Sequence, residues 1–432
     1  MFRIATLMSI CLLACGPRLK PPDAGEEIDA GMEVDAGRLR GDDPPNGWQV
    51  AAELPMGAAL STRLGVSVAA IGDQFNHPLI AALYEDPNGD LNYADNRIVY
   101  TRWDGVAKAF EPLRTIETVG GGPFAHPNRQ ISIARDPVSG RIGIAYIKPQ
   151  DNTVRLAVSD DEGQNFSLST LSDVPRAALM SNPSLALQGG NTHLGWIQGS
   201  DIMYRKRIGT GAFTSETPGS IVAGGQSLSL AVDSAGNAGV AFFVSVNGNS
   251  ADLAFWRPGS AASSIASADM LDLSVMGREP SVTLTFVGTT PHLAYHLRKL
   301  PDADATELWY LKATDSGTTW SAPVAIPRNA IGVDFHSTRY YQAIAVEPSG
   351  RVSIAAPWSF TGTQSNCVGP KLARSTDGVT FTTCSPLNSP IQRGGEWMNL
   401  WAHKPGKLTM VFQYDSRANT VQRPGIALWR EL

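Results

Sequence analysis

One unit recurs seven times along the chain: a short apolar strand, a turn, a second strand that often ends in an aromatic residue, and a third strand of alternating large residues. The first strands start near Val66, Ile131, Leu185, Leu228, Val282, Ile344 and Leu400. The second strands include Ile142 to Tyr146, His193 to Trp196, Val240 to Phe243, His292 to Tyr295 and Leu408 to Tyr414. A unit of this kind cannot bury its apolar face alone, so copies must pack against one another. Units about 43 to 65 residues apart, with about four strands each, have the size of a propeller blade. Helical periodicity is nearly absent. The 42 Gly and 29 Pro suit short strands joined by many turns, and charged residues, at 17%, fall below the roughly 25% usual for soluble domains. The expected fold is therefore all-β: a single β-propeller of four-stranded antiparallel blades over residues 47–432, seven in number, or six if the weak unit near Leu228 is irregular.

The last unit is incomplete. Its third strand, around Ile426 to Arg430, reaches Leu432 with no fourth strand after it. Near the other end, Gly47-Trp48-Gln49-Val50 resembles the Trp320-Ser321-Ala322-Pro323-Val324 stretch that leads a fourth strand elsewhere. An N-terminal strand that pairs in the last blade, with Trp48 against Leu428, would close the ring and remove an exposed edge.

Three third strands run into a distinctive turn. Ser159-Asp160-Asp161-Glu162-Gly163-Gln164-Asn165-Phe166 and Ala313-Thr314-Asp315-Ser316-Gly317-Thr318-Thr319-Trp320 resemble the Asp-box, or BNR repeat, Ser-x-Asp-x-Gly-x-Thr-Trp, of the sialidase-like propellers. Ser375-Thr376-Asp377-Gly378-Val379-Thr380-Phe381 is similar to a shortened copy. In such a turn the aspartate accepts backbone N–H bonds, the glycine supplies a positive φ, and the aromatic residue packs back between strands. The resemblance implies a scaffold role for these turns, because in that family they lie on the face opposite the active site.

By the same resemblance, the loops that enter the first strands, with those that join second to third strands, open onto a central funnel. Arginine stands before or at the start of five first strands: Arg63, Arg129, Arg278, Arg339 and Arg393. Converging guanidinium groups bind a carboxylate or sulfate through paired hydrogen bonds, as the sialidase arginine triad does. The alternative is that they are rim residues paired with local acids such as Glu279 and Glu396. The same loops carry His126, Asp334, His336, Tyr340, Tyr341 and Trp397. A sialidase needs an acid/base aspartate and a tyrosine activated by a glutamate; Asp334, Tyr340 or Tyr341, and Glu279 or Glu396 are the residues of those types. The Arg-Ile-Pro signature that sialidases carry early in the chain is absent. Aromatic rings that stack on sugars and arginines that pair with acidic substituents together favour an acidic glycan. The expected function is thus ligand binding at the funnel, to a glycan, an anionic group or a protein partner, with exo-glycosidase activity of sialidase type as the alternative.

Asp86-Pro87-Asn88-Gly89-Asp90-Leu91-Asn92-Tyr93-Ala94-Asp95 offers oxygens at alternate positions, as calcium loops do, through Asp86, Asn88, Asp90 and Asp95. It lacks the glycine and final glutamate of an EF-hand, and an Asx-rich turn is the competing reading. No other cofactor is expected, since G-x-S-x-G, phosphate-loop and HExxH motifs are all absent.

The first fourteen residues carry one positive charge at Arg3 and an apolar run from Ile4 to Ala14. That run is too short to cross a bilayer about 30 Å thick and reads as a cleaved secretion signal. It ends in Leu12-Leu13-Ala14-Cys15-Gly16, which resembles a bacterial lipobox and implies that Cys15 becomes the diacylated first residue. Residues 15–46 are rich in Pro, Asp, Gly and Ala, with Asp-Ala-Gly recurring at Asp23, Asp29 and Asp35, a composition suited to a solvated tether. With Cys11 in the signal, Cys367 and Cys384 are left to flank a predicted hairpin whose turn lies near Asp377, a disulfide in an oxidising compartment. The expected address is a bacterial membrane, the outer one, with the propeller in the periplasm or at the cell surface as a monomer. A net charge of -5 argues against general nucleic-acid binding.

Overall fold

The computed structural model describes residues 43–54, 58, 62–121, 130–171, 180–220, 227–247, 250–268, 281–298, 306–326, 342–356, 370–384, 393–416 and 423–431. They form seven antiparallel sheets, which we number as blades 1 to 7 in chain order. The innermost strands are Arg63–Gly72, Ile131–Arg135, Met180–Gln188, Leu228–Val232, Ser281–Val287, Ala343–Val346 and Arg393–Lys404. They neighbour one another in that order, and the seventh lies beside the first, so the blades make a ring. The unit near Leu228 is a regular four-stranded blade, which removes the six-bladed alternative.

Blade 1 departs from the simple pattern in its fourth strand. Ala109–Phe110 and Arg114–Thr118 both pair with the third strand, Arg97–Asp104, and are separated at Glu111-Pro112-Leu113. Proline has no N–H to give to the ladder and is tolerated on an outer strand, where it interrupts the pairing.

Blade 7 takes strands from both ends of the described chain. Gly47–Glu53 pairs antiparallel with Arg423–Arg430, with Gly47 opposite Arg430 and Trp48 opposite Trp429; Leu428 faces Gln49. The Trp48 ring meets Phe412 edge-on at 5.3 Å.

The buried side chains gather into seven clusters, one at each junction between neighbouring blades. Each sheet is apolar on both faces because a blade is buried on both sides, and each large aliphatic side chain taken out of water contributes about 1.5–3 kcal/mol. A second seam lies nearer the axis. The Ser132 hydroxyl accepts the Leu185 N–H at 3.1 Å, Ser184 accepts Leu230 N–H at 2.9 Å, and Ser229 accepts Leu284 N–H at 3.0 Å. Ser67 accepts Gln130 N–H at 3.2 Å, Thr283 donates to the Gln342 carbonyl at 2.7 Å, and Asn399 Oδ1 accepts Ala70 N–H at 3.0 Å. An innermost strand has an unpaired edge toward the axis, and these short polar side chains satisfy part of it from the blade before or after.

Candidate functional site

Within each blade, the turns after the first and third strands lie at one end of the ring, and the loops after the second and fourth strands lie at the other. The first end carries the three aspartate turns. In blade 2 the Ser159 hydroxyl donates to Asp161 Oδ1 at 2.7 Å and accepts Gly163 N–H at 2.7 Å, while Asp161 also accepts Asn165 N–H at 2.8 Å. In blade 5 one Asp315 oxygen accepts the N–H groups of Gly317, Thr318 and Thr319 at 2.7–3.1 Å. In blade 6 Asp377 accepts Val379 and Thr380 N–H at 2.8 and 2.7 Å. Hydrogen bonds from Asn165 N–H and from Ser159 hold the Asp161 carboxyl down at about 2, and Asp315 and Asp377 are likewise pushed below the usual carboxylate range by the donors around them. The aromatic residue closing each turn packs on the third strand of the blade before: Phe166 on Tyr100 at 5.3 Å, Trp320 on Phe255 at 5.2 Å, Phe381 on Tyr310 at 5.5 Å. These turns are clasps between blades, and their carboxylates are spent on backbone amides.

The opposite end is where the sequence placed the ligand, and there Arg63 begins the innermost strand of blade 1. Its side chain is 62% exposed and its Nη1 lies 3.9 Å from the buried carboxylate of Glu85, the residue facing it across the ladder. Arg393 and Glu396 belong to the innermost strand of blade 7, opposite Asp415 and Gln413; their side chains fall outside the described residues. His126, Arg129, Arg278, Glu279, Asp334, His336, Arg339, Tyr340 and Tyr341 lie outside the described residues, as do Cys15 and Cys367. Cys384 ends the fourth strand of blade 6, opposite Leu372.

Trp397 corrects an expectation. It is only 4% exposed and packs between blades 7 and 1 with Leu64, Val68, Val411 and Leu428, so its ring is no platform for a sugar. The ladder slips between Gly394 and Glu396 and again between Glu396 and Asn399, and Trp397 sits between the slips at φ +56°. Each slip reverses which side of the strand a residue faces, which alternation along the sequence cannot reveal.

The acidic loop after the second strand of blade 1 is built as a turn. Asp86, fully buried and at φ +47°, accepts the N–H groups of Asp90 and Leu91 at 3.2 and 3.1 Å. The Asn88 amide donates to Asp95, and Asp90 accepts Asn92 N–H at 2.8 Å. Among the described residues, no group of three or more histidine, cysteine or acidic side chains is drawn together as a metal ion requires.

A cluster not anticipated from sequence joins blades 1 and 2 at this end. Glu117, on the fourth strand of blade 1, receives the Tyr146 hydroxyl on one oxygen. Its other oxygen is 2.8 Å from Lys148 Nζ and 3.3 Å from Arg155 Nη2. Burial first, and then the hydrogen bond to Glu117, push the Tyr146 phenol well above its ordinary range. The phenol donates to Glu117 and is fully buried between the two blades. A tyrosine at the end of a second strand was visible in the sequence, but its carboxylate partner comes from the previous blade, and no local spacing links the two.

No family model matches the chain, and no curated protein does. Solved structures match it by fold. The BP39L lectin from Burkholderia pseudomallei is 12% identical, over 83% of this chain and 99% of that one, with a TM-score of 0.52. An α-L-arabinofuranosidase from Fusarium graminearum, solved with an iminosugar inhibitor, is 11% identical over 89% of this chain and 97% of that one, with a TM-score of 0.50. The chain is a β-propeller of seven blades, an architecture shared with a lectin and with a glycoside hydrolase.

Proposed function

We propose that this chain is an exported lipoprotein, anchored through Cys15, whose propeller binds a glycan at the end of the ring opposite the aspartate turns and does so without catalysis. The observation that carries the reading is the exposed Arg63 guanidinium at that end of the ring, whereas Tyr146, the tyrosine paired with Glu117, is fully buried between blades and out of a substrate's reach. Both fold neighbours, by their names, act on or bind carbohydrate, and Arg63 offers an exposed guanidinium at that end. An acidic glycan suits it best, since a guanidinium pairs with a carboxylate or sulfate through two parallel hydrogen bonds. The disulfide between Cys367 and Cys384, a monomeric state and a location at the outer membrane belong to the same reading. So do the ligand-binding roles of Arg129, Arg278, Arg339, Arg393, His126 and His336.

A glycan array probed with the mature chain tests the proposal. Binding to acidic glycans that falls at least tenfold in Arg63→Ala or Arg339→Ala supports it, and binding unchanged in the double variant overturns it. The aspartate turns and the glycosidase neighbour favour one second reading, an exo-glycosidase of sialidase type. Turnover of a fluorogenic sialoside that disappears with Asp334→Asn would establish that reading instead.

A further inference from the structure

The end of the ring that carries the aspartate turns is also where the N-terminal segment reaches the folded body. The chain arrives at Asp43, whose carboxylate lies 3.3 Å from Arg430 Nη2, 3.3 Å from His77 Nε2 and 3.6 Å from Lys404 Nζ. Arg430 ends the third strand of blade 7 and Lys404 ends its first, so all of these contacts are at the aspartate-turn end. From there Gly47–Glu53 runs toward the other end, with Gly47 opposite Arg430 and Glu53 opposite Gly425. Arg430 is 2% exposed, so the landing point is a fixed part of the body.

Four aliphatic side chains stand at the tips of turns on this same end. Val106, Val138, Ile208 and Val379, in blades 1, 2, 3 and 6, are between 65% and 79% exposed. The pairing of Arg141 with Asp160 at 2.6 Å ties the turn that carries Val138 to the neighbouring aspartate turn and fixes both at this end. Single exposed aliphatic residues are ordinary on a protein surface. Here they share an end of the ring with the point where the chain joins the body, in blades on either side of blade 7. If residues 15–42 act as the tether that their composition suggests, a coil of that length spans on the order of 30 Å and keeps this end close to whatever holds Cys15.

We propose that the aspartate-turn face is the membrane-facing surface of this protein, its aliphatic tips dipping into the headgroup region of a bilayer. The opposite face, with Arg63, then points away from the membrane into the space where a ligand arrives. This rests on the anchoring of Cys15 proposed above. The acyl chains hold the body near the lipid, and the tips add a second, weaker attachment that sets its orientation.

Hydrogen exchange on the mature full-length chain tests this, comparing the protein bound to vesicles of phosphatidylethanolamine and phosphatidylglycerol with a lipid-free Cys15→Ser chain in solution. Amides at 105–108, 137–140, 208–211 and 376–379 are expected to exchange several-fold more slowly on vesicles, with 86–95 and 149–152 unchanged. Slowing at 86–95 and 149–152, or at neither end, overturns the orientation. A second arm holds the Cys15→Ser chain on nickel-chelating vesicles through a hexahistidine tag at its N-terminus. The expected pattern in that arm, together with mass spectrometry showing no lipid on native Cys15, would overturn the anchoring and keep the face. Val138→Asp with Ile208→Asp, both at exposed positions, is expected to abolish the slowing in both arms while leaving the melting temperature unchanged; slowing that persists in this variant overturns the role of the tips.

Discussion

At the scale of single residues, the aspartate turns depend on backbone space more than on charge. Gly317 has φ +113°, and a Cβ built there would lie 2.5 Å from a ring carbon of Phe255 in the previous blade. Gly163 has the same problem with Tyr100, at 2.6 Å from the hydroxyl. Each glycine is required twice, by the left-handed backbone and by the ring pressed against it. Gly236, at φ +83° with nothing within 4 Å of the added atom, is required only once. Gly317→Ala should therefore cost about 2–4 kcal/mol in urea unfolding, the sum of strain and overpacking, against about 1–2 kcal/mol for Gly236→Ala. Equal costs at the two positions would mean that the turn does not clamp Phe255. The turn motifs were plain in the sequence because their donors and acceptors lie within a few residues of each other. The ring each turn grips was hidden, because it lies in the previous blade.

Among the strands, what the sequence disclosed and what it withheld divide along the same line. The places of all seven first strands were legible from local apolar patterning, although those read near Leu185 and Leu400 begin earlier, at Met180 and Arg393, and the extra strand at Trp48 was legible from its likeness to the stretch after Trp320. Trp397 was misread because two slips in the ladder turn it inward. The polar seam was equally present in the letters, as Ser67, Ser132, Ser184, Ser229, Thr283 and Asn399 on six of the seven first strands. It has no meaning until the strands are set side by side around an axis. Removing one hydroxyl leaves an amide of the next blade without its acceptor, so Ser184→Ala and Ser229→Ala should each lower stability by about 1 kcal/mol. Because the two sites act on consecutive junctions, the double variant tests coupling: a loss clearly larger than the sum would show that adjacent blades yield together.

For the whole molecule, three buried histidines set the response to acid. His193 and His292, with Nδ1 2.8 and 2.7 Å from the hydroxyls of Tyr204 and Tyr310, and His403, beside Thr409, are held at about 4 by burial, with nearby cations adding to it. In the unfolded chain they take up protons near pH 6.5, so between 6.5 and 4 the unfolded state binds more protons and stability falls as the pH drops. Asp161, at about 2, adds its own loss only below about pH 4. The melting temperature should decline across the 6.5–4 window, and His193→Gln with His292→Gln should flatten that decline; a flat profile in the native chain would show that these imidazoles are not buried neutral. A different constraint follows from the sheet that joins the two ends of the described chain. Gly47–Glu53 meets a partner at Arg423–Arg430 that is synthesised only after the other six blades. Six blades can form before that partner is made, but the seventh waits for it, with the early strand held in reserve meanwhile. The entropy of joining such distant segments grows only with the logarithm of their separation, about 0.6 kcal/mol for each doubling. The delay is therefore a matter of time more than of stability, and during it two blade edges stay open to other nascent chains.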